Sequence, residues 1–434
     1  MDKVISRPSR LRAEITPPGD KSISHRAVIL NSIAQGKAQV VNLSPGADCL
    51  ATVACLRALG AEVAGPLGSP PTLTIQGRGK GSLREADDVL DGGNSATTVR
   101  LLGGLLAAQP FLSIISGDAS LRSRPMRRLV EPLRLMGAQV WGRGGDSLAP
   151  LAIKGGNLRG IDYQLPVPSA QIKSAILLAA LYAQGDTHLL EPAPSRDHME
   201  RLLRAMGVGV ESEGLHISIS PPRSLHPVDL RIPGDISAAA FWLVAAALHG
   251  DARIKVTGCG INPTRSGIIE ALQAMGARIH IENRREEGGE PIADLVAESS
   301  ALSAIHIGGE IIPRLIDEIP VLAVAAAQAR GTTIIRDAAE LRVKESDRIG
   351  TLVEELSKMG AQIEELPDGM VVHGGRRLRG AEVDSHGDHR LAMTLAVAAL
   401  IAEGETTIGH AEAVAVSYPG FWQDLAKASL HESV

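Results

Sequence analysis

Alanine- and leucine-rich runs recur along the chain. Each opens on a small polar cluster, closes at a break that is usually glycine, and leads into a short β-branched run. The run predicts a helix, the glycine its end and the β-branched residues a strand. Six copies are present: PGDKSISHRAVILNSIAQGKAQVV from Pro18, GGNSATTVRLLGGLLAAQPFLSII from Gly92, VPSAQIKSAILLAALYAQGDTHLL from Val167, PGDISAAAFWLVAAALHGDARIKV from Pro233, LIDEIPVLAVAAAQARGTTII from Leu315 and GDHRLAMTLAVAALIAEGETTI from Gly387. Their closing positions, Gly36, Gln109, Gly185, Gly250, Gly331 and Gly404, lie 65 to 81 residues apart, the mark of a repeated supersecondary unit.

A second marker alternates with the first. LRALGAEV from Leu56, LRLMGAQV from Leu133, LRAMGVGV from Leu203, LQAMGARI from Leu272 and LSKMGAQI from Leu356 each read as an amphipathic helix tail, a left-handed glycine stop and a strand. A degenerate sixth tail is expected in FWQDLAKASL from Phe421. Each unit therefore reads helix, strand, helix, strand, strand. Six units predict two domains of three, broken between Arg231 and Gly234: residues 15–232 form one, and 1–14 with 233–434 form the other. A single first strand, about Val4 to Glu14, is expected to cross into the second domain.

The polar clusters sit where the Ala-rich helices start: Lys21-Ser22, Asn94-Ser95, Ser169 to Gln171, Asp235 to Ser237, Asp317-Glu318 and Asp388-His389-Arg390. Helix starts expose unpaired N–H groups and partial positive charge, so they favour anions. Capping accounts for Ser, Asn and Asp there. It does not account for Lys21 or Arg390, because a cation opposes the dipole unless an anion lies between them. Arg26 falls near the Lys21 face, and Arg122, Arg124, Arg127 and Arg128 crowd one short stretch. In ELRVKESDR, Lys344, Glu345 and Arg348 have spacings that a helix would bring together. Asp317-Glu318 opens a nearly apolar helix, placing a carboxylate where it can act as a base or hold a hydroxyl.

Composition narrows the chemistry. The 434 residues are 44% hydrophobic, which excludes wholesale disorder. The apolar stretch Ala238 to Leu248 is too short to span a bilayer, and MDKVISRPSRLRAEI lacks the apolar segment of a signal peptide. Three cysteines, Cys49, Cys55 and Cys259, make neither a disulfide framework nor a spaced zinc site, so a cytoplasmic location is expected and no membrane association. A net charge of -5 with nine aromatics argues against nucleic acid as partner. Of the 44 basic residues 34 are arginine, whose planar fork suits phosphate and carboxylate. Phosphate-loop, zinc-protease and nucleophile-elbow motifs are absent from the sequence. Small, multiply anionic substrates handled without a metal or organic cofactor are expected. Without a family, the residues leave an anion-binding transferase and a sugar-phosphate binding module both open.

PGDKSISHRA, GNSATTVR, RPM from Arg124, PSAQIKSA, PAPSRDH, IDEIP, ELRVKESDRI and GDHRLAM closely resemble the EPSP synthase family of enolpyruvyl transferases, over essentially the whole chain. The resemblance implies an α/β fold, a two-domain inside-out α/β barrel. Each domain would hold three βαβαββ units in pseudo-threefold symmetry, with the active site between the domains. It implies enolpyruvyl transfer from phosphoenolpyruvate to the 5-hydroxyl of 3-phosphoshikimate by addition and elimination, in the pathway to chorismate. A monomer is the expected state. Carried over by motif, Asp317, Lys21, Glu345 and His389 are the catalytic candidates. Lys21, Ser22, Arg26, Ser169, Ala170, Gln171, Ser195, Asp317 and Lys344 are expected at 3-phosphoshikimate. Lys21, Asn94, Ala96, Arg124, Gln171, Arg348 and Arg390 are expected at phosphoenolpyruvate.

Three positions depart from the family pattern. Ala96 stands where glycine is frequent, which implies a narrower phosphoenolpyruvate pocket and weaker glyphosate inhibition. Val416 stands near a frequent lysine, and Glu340 where some members have asparagine. The same-fold enzyme acting on UDP-N-acetylglucosamine is the nearest rival. It typically carries KN in the first motif and a loop cysteine, whereas this chain has Lys21-Ser22 and no cysteine from Gln109 to Pro125. A non-catalytic anion-binding protein would be expected to have lost Lys21, Asp317 or Arg348.

Overall fold

The computed structural model describes residues 1–66 and 72–430. The chain divides into two compact units. One comprises Gly19–Ile232 with Glu286–Glu290, the other Met1–Pro18, Pro233–Arg285 and Pro291–Val434. Each has its own hydrophobic core.

In the Gly19–Ile232 unit the three Ala-rich runs form helices α1 (Lys21–Ile33), α2 (Ala96–Leu106) and α3 (Ala170–Ala180). All are almost wholly buried, and the polar residues that α1 buries, Ser24, His25, Arg26, Asn31 and Ser32, are each hydrogen-bonded. Small residues let them approach: a Cβ on Gly104 would lie 2.1 Å from the Ala175 carbonyl oxygen, so only glycine fits where α2 meets α3. Each helix belongs to a four-stranded sheet of repeating order. In the second repeat Leu90–Asp91 lies parallel to Leu112–Ser116, which is followed by Leu148–Lys154 and Gln139–Gly142, both antiparallel. The third repeats this with Asp162–Gln164, Thr187–Leu190, His216–Ile219 and Val210–Glu213. In the first repeat the leading strand is Leu230–Arg231, from the far end of the unit, parallel to Gln35–Val41. Asn31 of α1 pins that returning segment through its side chain, accepting from the Val228 amide at 3.0 Å.

The other unit carries α4 (Ile236–Leu248), α5 (Ile319–Gln328) and α6 (His389–Ala399). The expected single N-terminal strand is instead two. Lys3–Ser6 runs antiparallel to Glu405–Gly409, and Arg10–Ile15 runs parallel to Ala252–Gly260. Pro8 lies in the break; lacking an N–H, it cannot continue a ladder. Among the described residues the last repeat has no closing hairpin, and Lys3–Ser6 pairs with Glu405–Gly409 at the edge of its sheet. Its degenerate tail is the helix Phe421–Ala428, where Phe421 packs against Phe241 and Trp242 of α4. The tail glycines stop their helices as the pattern requires. Gly137, at φ 112°, caps the helix Arg127–Met136, and Gly60, Gly207, Gly276 and Gly360 also have positive φ.

No helix among the described residues is long and apolar enough to cross a membrane.

Candidate functional site

Within each unit the starts of the three buried helices meet, and most of the residues singled out in the sequence gather there.

In the Gly19–Ile232 unit, Asp20 caps α1, its carboxylate accepting from the Ile23 amide at 2.9 Å, and Lys21 begins the helix. The Lys21 ammonium lies 3.0 Å from Asp48, in the first turn of the helix Ala47–Ala58. Asp48 carries no distinguishing signal in the sequence, because an acid in a first turn is ordinary. Beneath this pair His25 Nδ1 and Thr52 Oγ1 lie 2.7 Å apart, as do Thr52 Oγ1 and Thr98 Oγ1, joining α1 to α2. Burial lowers the His25 pKa from 6.5 to about 3, so the ring is neutral.

Arg26 is buried, and burial lowers its pKa to about 10. It donates to the Ser22 carbonyl at 2.7 Å, to the Ala170 carbonyl at 3.3 Å and to Ser174 Oγ at 2.7 Å. The guanidinium thus ties α1 to α3 and spends much of its donor fork on protein oxygens. Ser169 caps α3, its hydroxyl accepting from the Ile172 amide. Gln171 donates to Thr97 Oγ1 at 2.8 Å and accepts from Arg100 at 2.5 Å.

Asn94 is gripped on both faces. Arg124 donates to its side-chain oxygen at 2.6 Å and to its carbonyl at 3.1 Å, while its amide donates to Asp118 at 2.7 Å. Ala96 is the first residue of α2 and is buried, with Ser95 capping the helix. Ser195 donates its hydroxyl to Glu191, whose other oxygen is 2.9 Å from the buried Lys173; Lys173 is 2.7 Å from Glu200. The neighbouring Arg196 reaches Ser22 Oγ at 3.2 Å. Arg196 lies inside the PAPSRDH string, yet nothing local in the sequence separates it from other surface arginines. Arg122, Arg127 and Arg128, singled out by the charge pattern, are exposed.

In the other unit the cluster is richer in carboxylates. Asp388 caps α6, one oxygen accepting from the Arg390 amide at 2.8 Å. It also holds Arg348, whose Nε donates to it at 2.7 Å. Arg348 is buried, donates to Glu345 at 2.6 Å, and lies 3.5 Å from Asp317. Burial works to lower the Arg348 pKa, but Asp388, Glu345 and Asp317 outweigh it and raise it. Burial likewise works to raise Asp388, and Arg348 with His389 outweighs it, so that carboxyl is held below its usual range. His389 is buried, its Nδ1 4.0 Å from Asp388.

Asp317 lies on the 3-10 turn Ile316–Glu318 ahead of α5. Lys344 at 3.9 Å, Arg348 at 3.5 Å and Arg390 at 3.7 Å surround its carboxylate. Asp317 is thus a carboxylate shared among three cations, with Arg348 donating to it at 3.5 Å. Lys344 and Glu345 do not share a helix with Arg348, contrary to the spacing argument. Asp347 caps a helix that begins at Arg348, accepting from the Ile349 and Gly350 amides, and the preceding turn is 3-10 up to Val343. The side chains meet around Asp317 and Arg348 all the same. Val416 is half-buried at the end of the 3-10 turn Ala411–Val416, and Glu340 is exposed.

Glu354, Glu355 and His386 are the one group of possible metal ligands among the described residues. Lys358 and His386 each lie 2.8 Å from Glu355, which makes it an ion-pair cluster.

Comparison with known proteins agrees with this arrangement. A family model described as EPSP synthase (3-phosphoshikimate 1-carboxyvinyltransferase) matches residues 5–425. A protein of Herpetosiphon aurantiacus named 3-phosphoshikimate 1-carboxyvinyltransferase is 53% identical over 430 residues, 98% of this chain and 99% of that one. Another of that name, from Gloeobacter violaceus, is 56% identical over 96% of each chain. The solved structure of an EPSP synthase from Acinetobacter baumannii superposes with a TM-score of 0.89 at 43% identity, covering 99% of both chains. With the sixfold repeat, the clustered helix starts and these matches over nearly its full length, the chain belongs to the EPSP synthase family.

Proposed function

We propose that the two clusters carry out the reaction for which the family is named, transfer of the enolpyruvyl group of phosphoenolpyruvate to the 5-hydroxyl of 3-phosphoshikimate with release of phosphate. Asp317 is the base. Its carboxylate takes the hydroxyl proton as the oxygen attacks C2 of phosphoenolpyruvate, while a proton from Lys21 reaches the methylene carbon. The tetrahedral adduct then loses a methyl proton to Glu345, and the C–O bond to phosphate breaks. Lys344, Arg348 and Arg390 supply positive charge that is fixed before the substrates arrive, which lowers the cost of charge developing at the transition state. His389, buried against Asp388, supports that charge arrangement.

Ser22, Ser169, Ala170 and Arg196 form the 3-phosphoshikimate side, with Ser195 and Arg26 shaping it through Glu191 and the α1–α3 bonds. Asn94, Ala96, Arg124 and Gln171 form the phosphoenolpyruvate side, where Arg100 orients Gln171. Buried cysteines with no disulfide among the described residues accord with a reducing, cytoplasmic setting.

The observation that carries this reading is the Asp317 carboxylate ringed by three cations at 3.5 to 3.9 Å. Phosphate release from the two substrates tests it, with UDP-N-acetylglucosamine as control acceptor. Turnover with 3-phosphoshikimate alone is the expected result. Asp317→Asn should lower kcat by about 10²- to 10⁴-fold, the usual worth of a general base, with KM little changed. Equal losses in binding and turnover would remove the base role.

A further inference from the structure

We infer that Glu318 is a positioning residue for the base, fixing where Asp317 stands through a buried link to the start of α4. The inference rests on the assignment of Asp317 made above. Five of the six repeat helices begin with a side-chain cap: Asp20, Ser95, Ser169, Asp235 and Asp388 accept from first-turn amides. Helix α5 has no side-chain cap and carries proline in its first turn. The placement of its start therefore has to come from elsewhere.

Glu318 supplies it. The turn Ile316–Glu318 is 3-10, with three residues per turn, so neighbouring side chains leave the axis about 120° apart. Asp317 projects toward Lys344, Arg348 and Arg390, and Glu318 projects into the core with its side chain fully buried. Ser237, in the first turn of α4, donates its hydroxyl to Glu318 Oε1. Arg265, also buried, donates to Ser237 Oγ at 2.6 Å and lies 3.5 Å from Glu318 Oε1 and 3.7 Å from Asp235, the α4 cap. One buried cation thus joins the α4 cap and first turn to the α5 start. Glu318 Oε2 is buried with no hydrogen-bond partner among the described residues. A carboxylate retained there at such cost is poor packing but a firm anchor. Asp317 is the adjacent residue of the same turn, so where Glu318 is held bears directly on where the Asp317 carboxylate stands among Lys344, Arg348 and Arg390.

The test is a double-variant cycle read in single-turnover kinetics. Glu318→Gln keeps the size of the side chain and removes the charge facing Arg265. It should lower kcat by about 30-fold, within the range expected for a misplacement near 1 Å, with KM for both substrates within about threefold. In an Asp317→Asn background the same substitution should lower the rate by less than about threefold, since it acts only through Asp317. Ser237→Ala, which breaks the link more gently, should show the same dependence at about fivefold and serves if Glu318→Gln does not fold. Unchanged kcat in the folded single variants would overturn the inference, as would an undiminished loss in the Asp317→Asn background. Full turnover by Asp317→Asn alone would instead overturn the base assignment, so the two failures are distinct.

Discussion

The two helix-start clusters come from one repeat pattern but are held in different ways. In the Gly19–Ile232 unit Lys21, Asn94, Arg124 and Gln171 are half-buried, with Arg124 bonded to Asn94, Gln171 to Thr97 and Arg100, and Lys21 paired with Asp48, while the buried Lys173–Glu191–Glu200 ions lie behind Ser195. In the other unit Arg348 is fully buried among Asp388, Glu345 and Asp317, and Glu318 lies buried behind them. A partly solvated frame loses little when one member is removed. A buried ionic frame loses much, because the partner left behind is an uncompensated charge. The same fold element thus yields a cluster whose helix-start cation, Lys21, is half-buried in one unit, and one centred on a fully buried arginine, Arg348, in the other. The more ionic one carries the proposed base, Asp317, whose position would matter most to rate.

The sharpest way to break this contrast is a matched pair of substitutions. Asp388→Asn should lower folding stability by about 3 kcal/mol, because Arg348 then lacks its main buried counter-charge. Asn94→Ala should cost less than about 1 kcal/mol while raising KM for phosphoenolpyruvate, since Arg124 keeps access to water. Denaturant melts with steady-state kinetics read both, and equal stability losses would erase the distinction.

A smaller effect concerns His25 beneath the Lys21–Asp48 pair. Its folded pKa is about 3, against an ordinary 6.5, so the unfolded chain binds that proton first as pH falls. The stability attached to the neutral ring is complete above pH 6.5 and is lost as pH falls from there toward 3, by about 2 kcal/mol at pH 5. His25→Gln should flatten this part of the stability–pH curve; a slope identical to that of the parent would contradict it.

The smallest effect expected is at Ala96. If its methyl narrows the phosphoenolpyruvate pocket, Ala96→Gly should tighten competitive inhibition by glyphosate about tenfold, worth ~1.4 kcal/mol. An unchanged inhibition constant would mean that the methyl points elsewhere.

Much of the architecture is legible in the chain because its signals are local. Helix, glycine stop and strand recur in register, and the Gly137 type of stop needs only its own positive φ. The motif residues at the helix starts are legible for the same reason: a cation such as Lys21 or Arg390 conflicts with the local dipole, and that conflict can be read without coordinates. What depends on distant pairing is not legible. The pattern predicts one N-terminal strand, and two are found in different sheets. The ELRVKESDR spacing suggests a helix, but Asp347 starts that helix only at Arg348.

The amino-acid sequence by itself determined the repeat, the family and the chemical character of each helix start, because periodicity, capping and charge are properties of neighbouring residues. Only the tertiary structure decided that Asp48 answers Lys21, that Arg196 reaches Ser22, and that Ser237 and Arg265 stand behind Glu318. Those partners lie 27 to 174 positions apart along the chain, and packing alone brings them within hydrogen-bond reach.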